Sequence, residues 1–165
     1  MPSDGSIVVA GNHDSVLDPF VLAVAVERQL HYLGKAELWR CWPLVPIFDL
    51  VGAIPVTRNA GDEVAIASAL EVLERGAAIG IFPQGSVRRV GWRRGAARLA
   101  LSAGAPIVPV RIIGTHAALS RGRVGFPQIA VLIGEPIPVE RCVPTAELAA
   151  ELTARLQAAV EALGT

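Results

Sequence analysis

Ile7-Val8-Val9-Ala10-Gly11-Asn12-His13-Asp14-Ser15-Val16-Leu17-Asp18-Pro19 is the stretch whose reading decides the fold. Its first four residues are apolar without alternation and stop at Gly11, the pattern of a short strand buried on both faces. Asp18-Pro19 then marks a helix start, with Asp18 as N-cap and Pro19 at the first helical position, where a missing N–H loses no partner. This helix is expected to run to about Gln29. A buried strand followed at once by a loop and a helix is the opening unit of an α/β layer fold.

The rest of the chain repeats the unit. His31-Tyr32-Leu33-Gly34 and Ala53-Ile54-Pro55-Val56 read as strands. Gly61 to Arg75 has helical spacing, with Ile66, Leu70 and Leu73 on one face and Gly76 as a stop. Ala78 to Phe82 is a strand ended by Pro83, Gly95 to Ala103 a helix, and Pro106 to Ile113 and Gln128 to Ile133 further strands. The last helix is expected over about 145–163, with Leu148, Leu152, Leu156, Val160 and Leu163 as its apolar stripe. The fold class is therefore α/β, a single domain over residues 1–165 with a mixed, mostly parallel sheet flanked by helices. Ligands in such sheets bind at the carboxyl ends of the strands. The segments around Asn12, Arg58 and Gln84 all follow strands and could face one cleft.

Composition narrows the class. At 165 residues the chain fits one domain with a real core. A hydrophobic fraction of 52% against 18% charged residues excludes a disordered or fibrous chain. Two cysteines, Cys41 and Cys142, are too few for a disulfide scaffold and point to a reducing compartment. No apolar run has the roughly 18 residues of a spanning helix, and the N-terminus lacks a signal-peptide pattern. The expected location is the cytoplasm, or the periphery of the inner membrane face. The apolar stretch Trp39 to Leu50 is the surface expected to touch a bilayer or hold an acyl chain, or else to pack as core.

Charge is unevenly placed. There is no acidic residue between Glu74 and Glu135, a stretch that holds nine arginines, while the remainder has six basic and fifteen acidic residues. The segments thus carry about +9 and −9. An arginine-only segment suits an anionic ligand, since the guanidinium fork matches phosphate and carboxylate; a solvated surface is the ordinary alternative. The zero net charge argues against a nucleic-acid binder.

Two constellations could carry chemistry. His13 lies just past a strand and Asp18 five positions on, so the carboxylate can hold one imidazole nitrogen while the other accepts a proton from a substrate hydroxyl. Asp18 as a plain cap and His13 as a polar loop residue are the ordinary alternatives. In Phe82-Pro83-Gln84-Gly85-Ser86-Val87-Arg88-Arg89 a strand breaks into a glycine turn followed by arginines, which suits a phosphate or a developing oxyanion. Taken alone, an ordinary strand-to-loop turn is the better reading there. Arg58, at a strand end, and Pro106 to Val110, a buried strand, are weak signals singly.

Taken together and in order, these segments resemble the glycerophospholipid acyltransferase superfamily, typified by the 1-acylglycerol-3-phosphate acyltransferases. Its N-H-x4-D motif is matched by Asn12, His13 and Asp18, and its G-x-I-x-V-x-R motif by Gly52, Ile54, Val56 and Arg58. F-P-E-G-S/T-R is met by Phe82, Pro83, Gly85 and Ser86, the V-P-V-V-P-V strand by Ala105 to Val110, and F-K-x-G-A by Trp92 to Ala96. The resemblance spans about residues 7–135. It implies an acyltransferase in which His13 is the general base and Asp18 orients it. It also implies an acyl-CoA or acyl carrier protein donor as co-substrate and no bound cofactor or metal. The acceptor, anionic or hydroxyl-bearing, would be held by Asn12, Ser15, Arg58, Phe82, Pro83, Gln84, Gly85, Ser86, Arg88 and Arg93.

Three departures stand out: Gln84 replaces the family's glutamate, Val87 its arginine, and the loop from Gln84 to Gly95 is short. All three are expected to touch the acceptor side rather than the His13–Asp18 pair, and so to change what is acylated. Only eleven residues precede Asn12, which suggests either a soluble variant or a longer natural N-terminus. Two other readings stand beside this one. A degenerate, non-catalytic acyl- or lipid-binding module is favoured by Gln84 and Val87. A metallophosphoesterase is suggested by the strand leading into Gly11-Asn12-His13-Asp14, but lacks upstream room for its further metal ligands.

Overall fold

The computed structural model describes residues 2–35, 52–56, 61–87, 91–120 and 123–164. In chain order the elements are β1 (Ile7–Gly11), α1 (Asp18–Ala25), β2 (Leu30–Lys35), β3 (Ala53–Val56), α2 (Gly61–Glu74) and β4 (Ala78–Ile81). There follow α3 (Gly95–Ala103), β5 (Ile107–Ile113), α4 (Thr115–Ala118), β6 (Leu119–Ser120), β7 (Arg123–Val124), β8 (Ala130–Ile133) and α5 (Ala146–Ala162).

Six strands form one sheet in the order β3-β2-β4-β1-β5-β8. The pairs of β1 with β4 and β5, and of β2 with β3 and β4, are parallel; β8 alone runs antiparallel, against β5. The mixed, mostly parallel α/β sheet read from the sequence is the sheet observed. All five residues of β1 are buried. Val8 and Ala10 face a core built with Leu73, Ile79, Leu99 and the inner side of α5. Ile7 and Val9 face the opposite layer with Leu22, Val26, Tyr32, Val108 and Val110. A strand covered on both faces needs an unbroken apolar run, which is why Ile7 to Ala10 shows no alternation. Between these two layers β1 is central, and its carboxyl end opens between β4 and β5 where the connections part to either side.

Several boundaries differ from expectation. The first helix stops at Ala25 rather than Gln29, because Val26 turns extended (φ −101°, ψ 124°). Val26 and Leu30 are both buried where the chain passes from α1 into β2. Arg28 secures the exit by donating to the carbonyls of Pro2, Gly5 and Gly76. The last helix is capped by Thr145, whose hydroxyl accepts from Leu148 N at 3.2 Å. Its buried stripe is Ala149, Leu152, Thr153, Leu156 and Val160, while Leu148 is 41% exposed. Ala149 lies in the same core cluster as Leu99 and Ala100 of α3, and Leu148 beside it faces solvent. α4 and the β6–β7 hairpin, absent from the sequence reading, are too short to show a period.

Two arginines of the cationic segment serve the fold. Arg111 donates to Glu161 O at 2.7 Å, in the last turn of α5, and Arg94 to Ala146 O at 3.4 Å. Among the described residues no helix is long and apolar enough to cross a membrane. The stretch Trp39 to Leu50 lies outside the described residues.

Candidate active site

The loop 12–17 hangs from the carboxyl end of β1 and is fastened on both sides. Gly11 makes the approach possible: a Cβ there would lie 2.7 Å from Val110 O on β5. Asn12 then locks onto the same strand. Its Oδ1 accepts from Ile112 N and its Nδ2 donates to Ile112 O, both at 2.8 Å. Nδ2 also donates to Asp14 Oδ2 at 2.8 Å. On the other side the His13 N–H donates to Gln84 Oε1 at 2.5 Å, just past β4. The polar groups of a turn wedged between two strands are thus matched by side chains, not left to solvent.

Asp18 does not cap its helix. Leu17 holds the N-cap position without a side-chain hydrogen bond, Asp18 is the first helical residue, and Pro19 follows it. The Asp18 carboxylate instead turns back into the loop. Its Oδ2 accepts from Asp14 N (2.7 Å), Ser15 N (2.9 Å) and His13 Nδ1 (2.9 Å). Asp18 is fully buried and the His13 side chain 16% exposed. Burial pushes the Asp18 pKa up, but hydrogen bonding from His13, Thr115, Ser15 and Asp14 outweighs it and holds the carboxyl below its ordinary value. An ionised carboxylate can only accept, so Nδ1 carries the hydrogen of this contact and Nε2 is the ring edge turned away from Asp18.

The imidazole is fixed from its face as well. Phe82 stacks on it with centroids 4.5 Å apart and planes at 22°, and Tyr32 stacks behind Phe82 at 6.3 Å. The buried Tyr32 donates its hydroxyl to Pro19 O at 3.0 Å, joining the stack to the start of α1. Phe82 opens a tight turn closed by Gly85 N to Phe82 O at 2.8 Å, with Gly85 at φ +68°. Pro83 O accepts from Arg93 N at 2.9 Å. This folds the loop back so that the Arg93 side chain lies beside Gly85.

Of the residues singled out from the sequence, the structure brings together His13, Asp18, Phe82 and Gln84, with Pro83, Gly85, Ser86 and Arg93 one turn away. Asn12 and Ser15 are engaged within the loop itself; the buried Ser15 accepts from Leu17 N through Oγ at 3.2 Å. Arg58 and Arg88 lie outside the described residues. The expectation that Gln84 bears on the acceptor side alone is corrected, because its Oε1 holds the backbone of His13. Of the turn amides expected to meet an anion, that of Gly85 is taken by Phe82 O. The sequence reading missed Thr115 and Tyr32, which no local pattern marks.

A family model described as Acyltransferase matches residues 1–113. The chain belongs to the acyltransferase family. That membership sets aside the metallophosphoesterase alternative. The acyltransferase is 29% identical to a 1-acyl-sn-glycerol-3-phosphate acyltransferase of Bacillus subtilis, over 83% of this chain and 69% of that protein. It is 32% identical to one of Borreliella burgdorferi, over 70% of this chain and 49% of that protein. With the human alpha form the identity is 29%, over 87% of this chain and 54% of the other. The chain therefore spans about half to about two thirds of the length of these relatives. Its fold matches the crystal structure of PlsC, the 1-acyl-sn-glycerophosphate acyltransferase of Thermotoga maritima, with a TM-score of 0.73 and 22% identity. That match covers 99% of this chain and 68% of the other.

One apolar groove of the acyltransferase stands apart from the loop. It has a volume of about 380 Å³ between α1 and β8 and is lined by Phe20, Val21, Val24, Ala25, Ile129 and Val131.

Proposed function

We propose that this domain transfers an acyl group from an acyl thioester to a hydroxyl of a glycerophosphate-type acceptor, with His13 as general base and Asp18 as its orienting partner. The observation that supports this most is the Nδ1–Asp18 contact of 2.9 Å. It supports a hydrogen on the Nδ1 edge of the ring, with the Nε2 edge turned away from Asp18 and available to the acceptor. Nε2 takes the acceptor O–H proton as the oxygen attacks the thioester carbonyl carbon. The tetrahedral oxyanion collapses, the C–S bond breaks, and the imidazolium returns the proton to the leaving thiolate. The ionised Asp18 stabilises the imidazolium between these steps. Acyl-CoA and acyl carrier protein are both thioesters that fit this scheme.

The relatives named above point to 1-acylglycerol-3-phosphate as the acceptor class. Val87 and Gln84 favour a second reading of the acceptor, in which the domain prefers a different hydroxyl- or amine-bearing molecule. Val87 cannot pair with a phosphate where the family motif carries arginine, and Gln84 brings no charge. The test is a matrix of acyl-CoA and acyl carrier protein donors against 1-acylglycerol-3-phosphate, glycerol-3-phosphate and non-phosphorylated acceptors, read as thiol release and product mass. Transfer to one of these acceptors, lost in His13→Ala, is expected. Failure of every donor to lose its acyl group in any acceptor's presence would favour the non-catalytic binding module.

A further inference from the structure

Two buried side-chain oxygens lack a direct hydrogen-bond partner among the described residues: Asp18 Oδ1 and Thr115 Oγ1. Both residues are completely shielded from solvent. Asp18 Oδ2 already accepts three hydrogen bonds, so the second oxygen of the same carboxylate is the one wanting a donor. The Thr115 hydroxyl carries a donor with nowhere else shown for it to go, and a buried polar atom without a partner is unfavourable. The path that brings them together is also visible. β5 ends at Ile113, Gly114 turns the chain at φ +90°, and Thr115 opens α4. The same strand is anchored to the catalytic loop one residue earlier, through Asn12 and Ile112. Thr115 is also among the groups that hold the Asp18 pKa down.

We infer that Thr115 is a positioning residue for the reaction, its hydroxyl donating to Asp18 Oδ1 and so fixing the carboxylate plane that orients His13. This rests on the dyad reading above. Without that donor Oδ1 is left unsatisfied in the interior, the carboxylate plane is held through Oδ2 alone, and the carboxylate becomes more basic and competes with Nδ1 for the shared proton. The groups facing Asp18 are His13 and the backbone of Asp14 and Ser15 from the loop, and Thr115 from α4. The Asp14 carboxylate faces Asn12, and His116 beside Thr115 is exposed.

The test compares Thr115→Val with Thr115→Ser, using an acyl-CoA and whichever acceptor the wild-type protein turns over. Thr115→Val is expected to lower kcat about ten- to a hundredfold with donor KM little changed, the size expected for a hydrogen bond to a charged group. The acidic limb of its kcat/KM profile should move to higher pH by about half a unit, since a proton on the dyad is then held more tightly. Thr115→Ser should restore both. Nitrogen NMR of the His13 ring gives a readout independent of turnover: the Nδ1–H form should be less dominant in Thr115→Val than in the wild type. Should Thr115→Val fold poorly, Thr115→Ala carries the same comparison. Wild-type rate and pH profile in the hydroxyl-free variants would overturn the inference. So would a Thr115→Ser protein as impaired as Thr115→Val, which would point to the methyl group. An active His13→Ala protein would defeat the dyad itself, a result distinct from either.

Discussion

Gln84 Oε1 accepts the backbone N–H of His13 at 2.5 Å, across 71 positions of sequence, so the turn after β4 holds the histidine-bearing loop after β1. With Asn12 gripping Ile112 on β5, the loop at the centre of the sheet is tied to both neighbouring strands. The His13 ring then needs only Asp18 at its edge and Phe82 on its face to be held in one orientation. Preorganisation of this kind lets a base act without rearranging when the substrate arrives.

Gln84→Leu removes that tie while keeping the volume. We expect kcat to fall about tenfold, the size of one lost hydrogen bond at a half-buried amide. Gln84→Glu keeps an acceptor oxygen and should retain most of the activity. Steady-state thiol release checks both, and full activity in Gln84→Leu would show that the contact does not position His13.

Asn12→Ala leaves the N–H and C=O of Ile112 without side-chain partners on a strand residue that is 1% exposed. The expected loss is about 2–4 kcal/mol, or roughly 5–12 °C in Tm for a chain of this size. Calorimetry or thermal circular dichroism measures it, and an unchanged Tm would remove Asn12 from the scaffold.

Asp18→Asn separates charge from shape. The folded pKa of Asp18 lies below its ordinary 3.8. Its ionised form therefore contributes stability that is present above that value and lost as the pH falls through the folded pKa. Asp18→Asn should melt below the wild type at neutral pH, with the gap narrowing in acid below pH 3.8. Turnover should fall about a hundredfold or more, because the ring is no longer held in the Nδ1–H form. A gap constant down to strong acid would contradict the assignment of the charge.

Acceptor choice is tested by Gln84→Glu combined with Val87→Arg. The double variant restores the family's motif and should raise kcat/KM for 1-acylglycerol-3-phosphate relative to non-phosphorylated acceptors. Arg–phosphate pairing makes the expected gain about tenfold. Efficient, selective use of 1-acylglycerol-3-phosphate by the unaltered domain would return these two positions to neutral variation.

What the sequence made legible follows from how locally each feature is encoded. β1 and β4 read easily because strands buried on both faces are unbroken apolar runs ended by glycine or proline, and β5 because it opens on the buried apolar run Ile107 to Val110. His13 and Asp18 read as a pair because a loop of four intervening residues suffices to bring them together. The role of Asp18 as a cap did not survive, since the choice between helix amides and loop amides depends on where Asp14 and Ser15 lie in space. Gln84 on His13 and Thr115 near Asp18 are contacts between distant segments, set by strand order, and no spacing rule announces them. Arg94 and Arg111 looked like ligand groups from charge alone, yet each binds a carbonyl of the last helix.

The role of His13 as the base for acyl transfer is decided by His13→Ala. The ring is 16% exposed and its partners are the Asp18 carboxylate and the Phe82 ring, not the strand ladder, so the variant should keep the wild-type circular dichroism spectrum and donor affinity. Measured as acyl transfer from an acyl-CoA to the best acceptor found for the wild type, kcat should drop about 10²–10⁴-fold. A folded His13→Ala protein that turns over within a few-fold of the wild type would contradict the account.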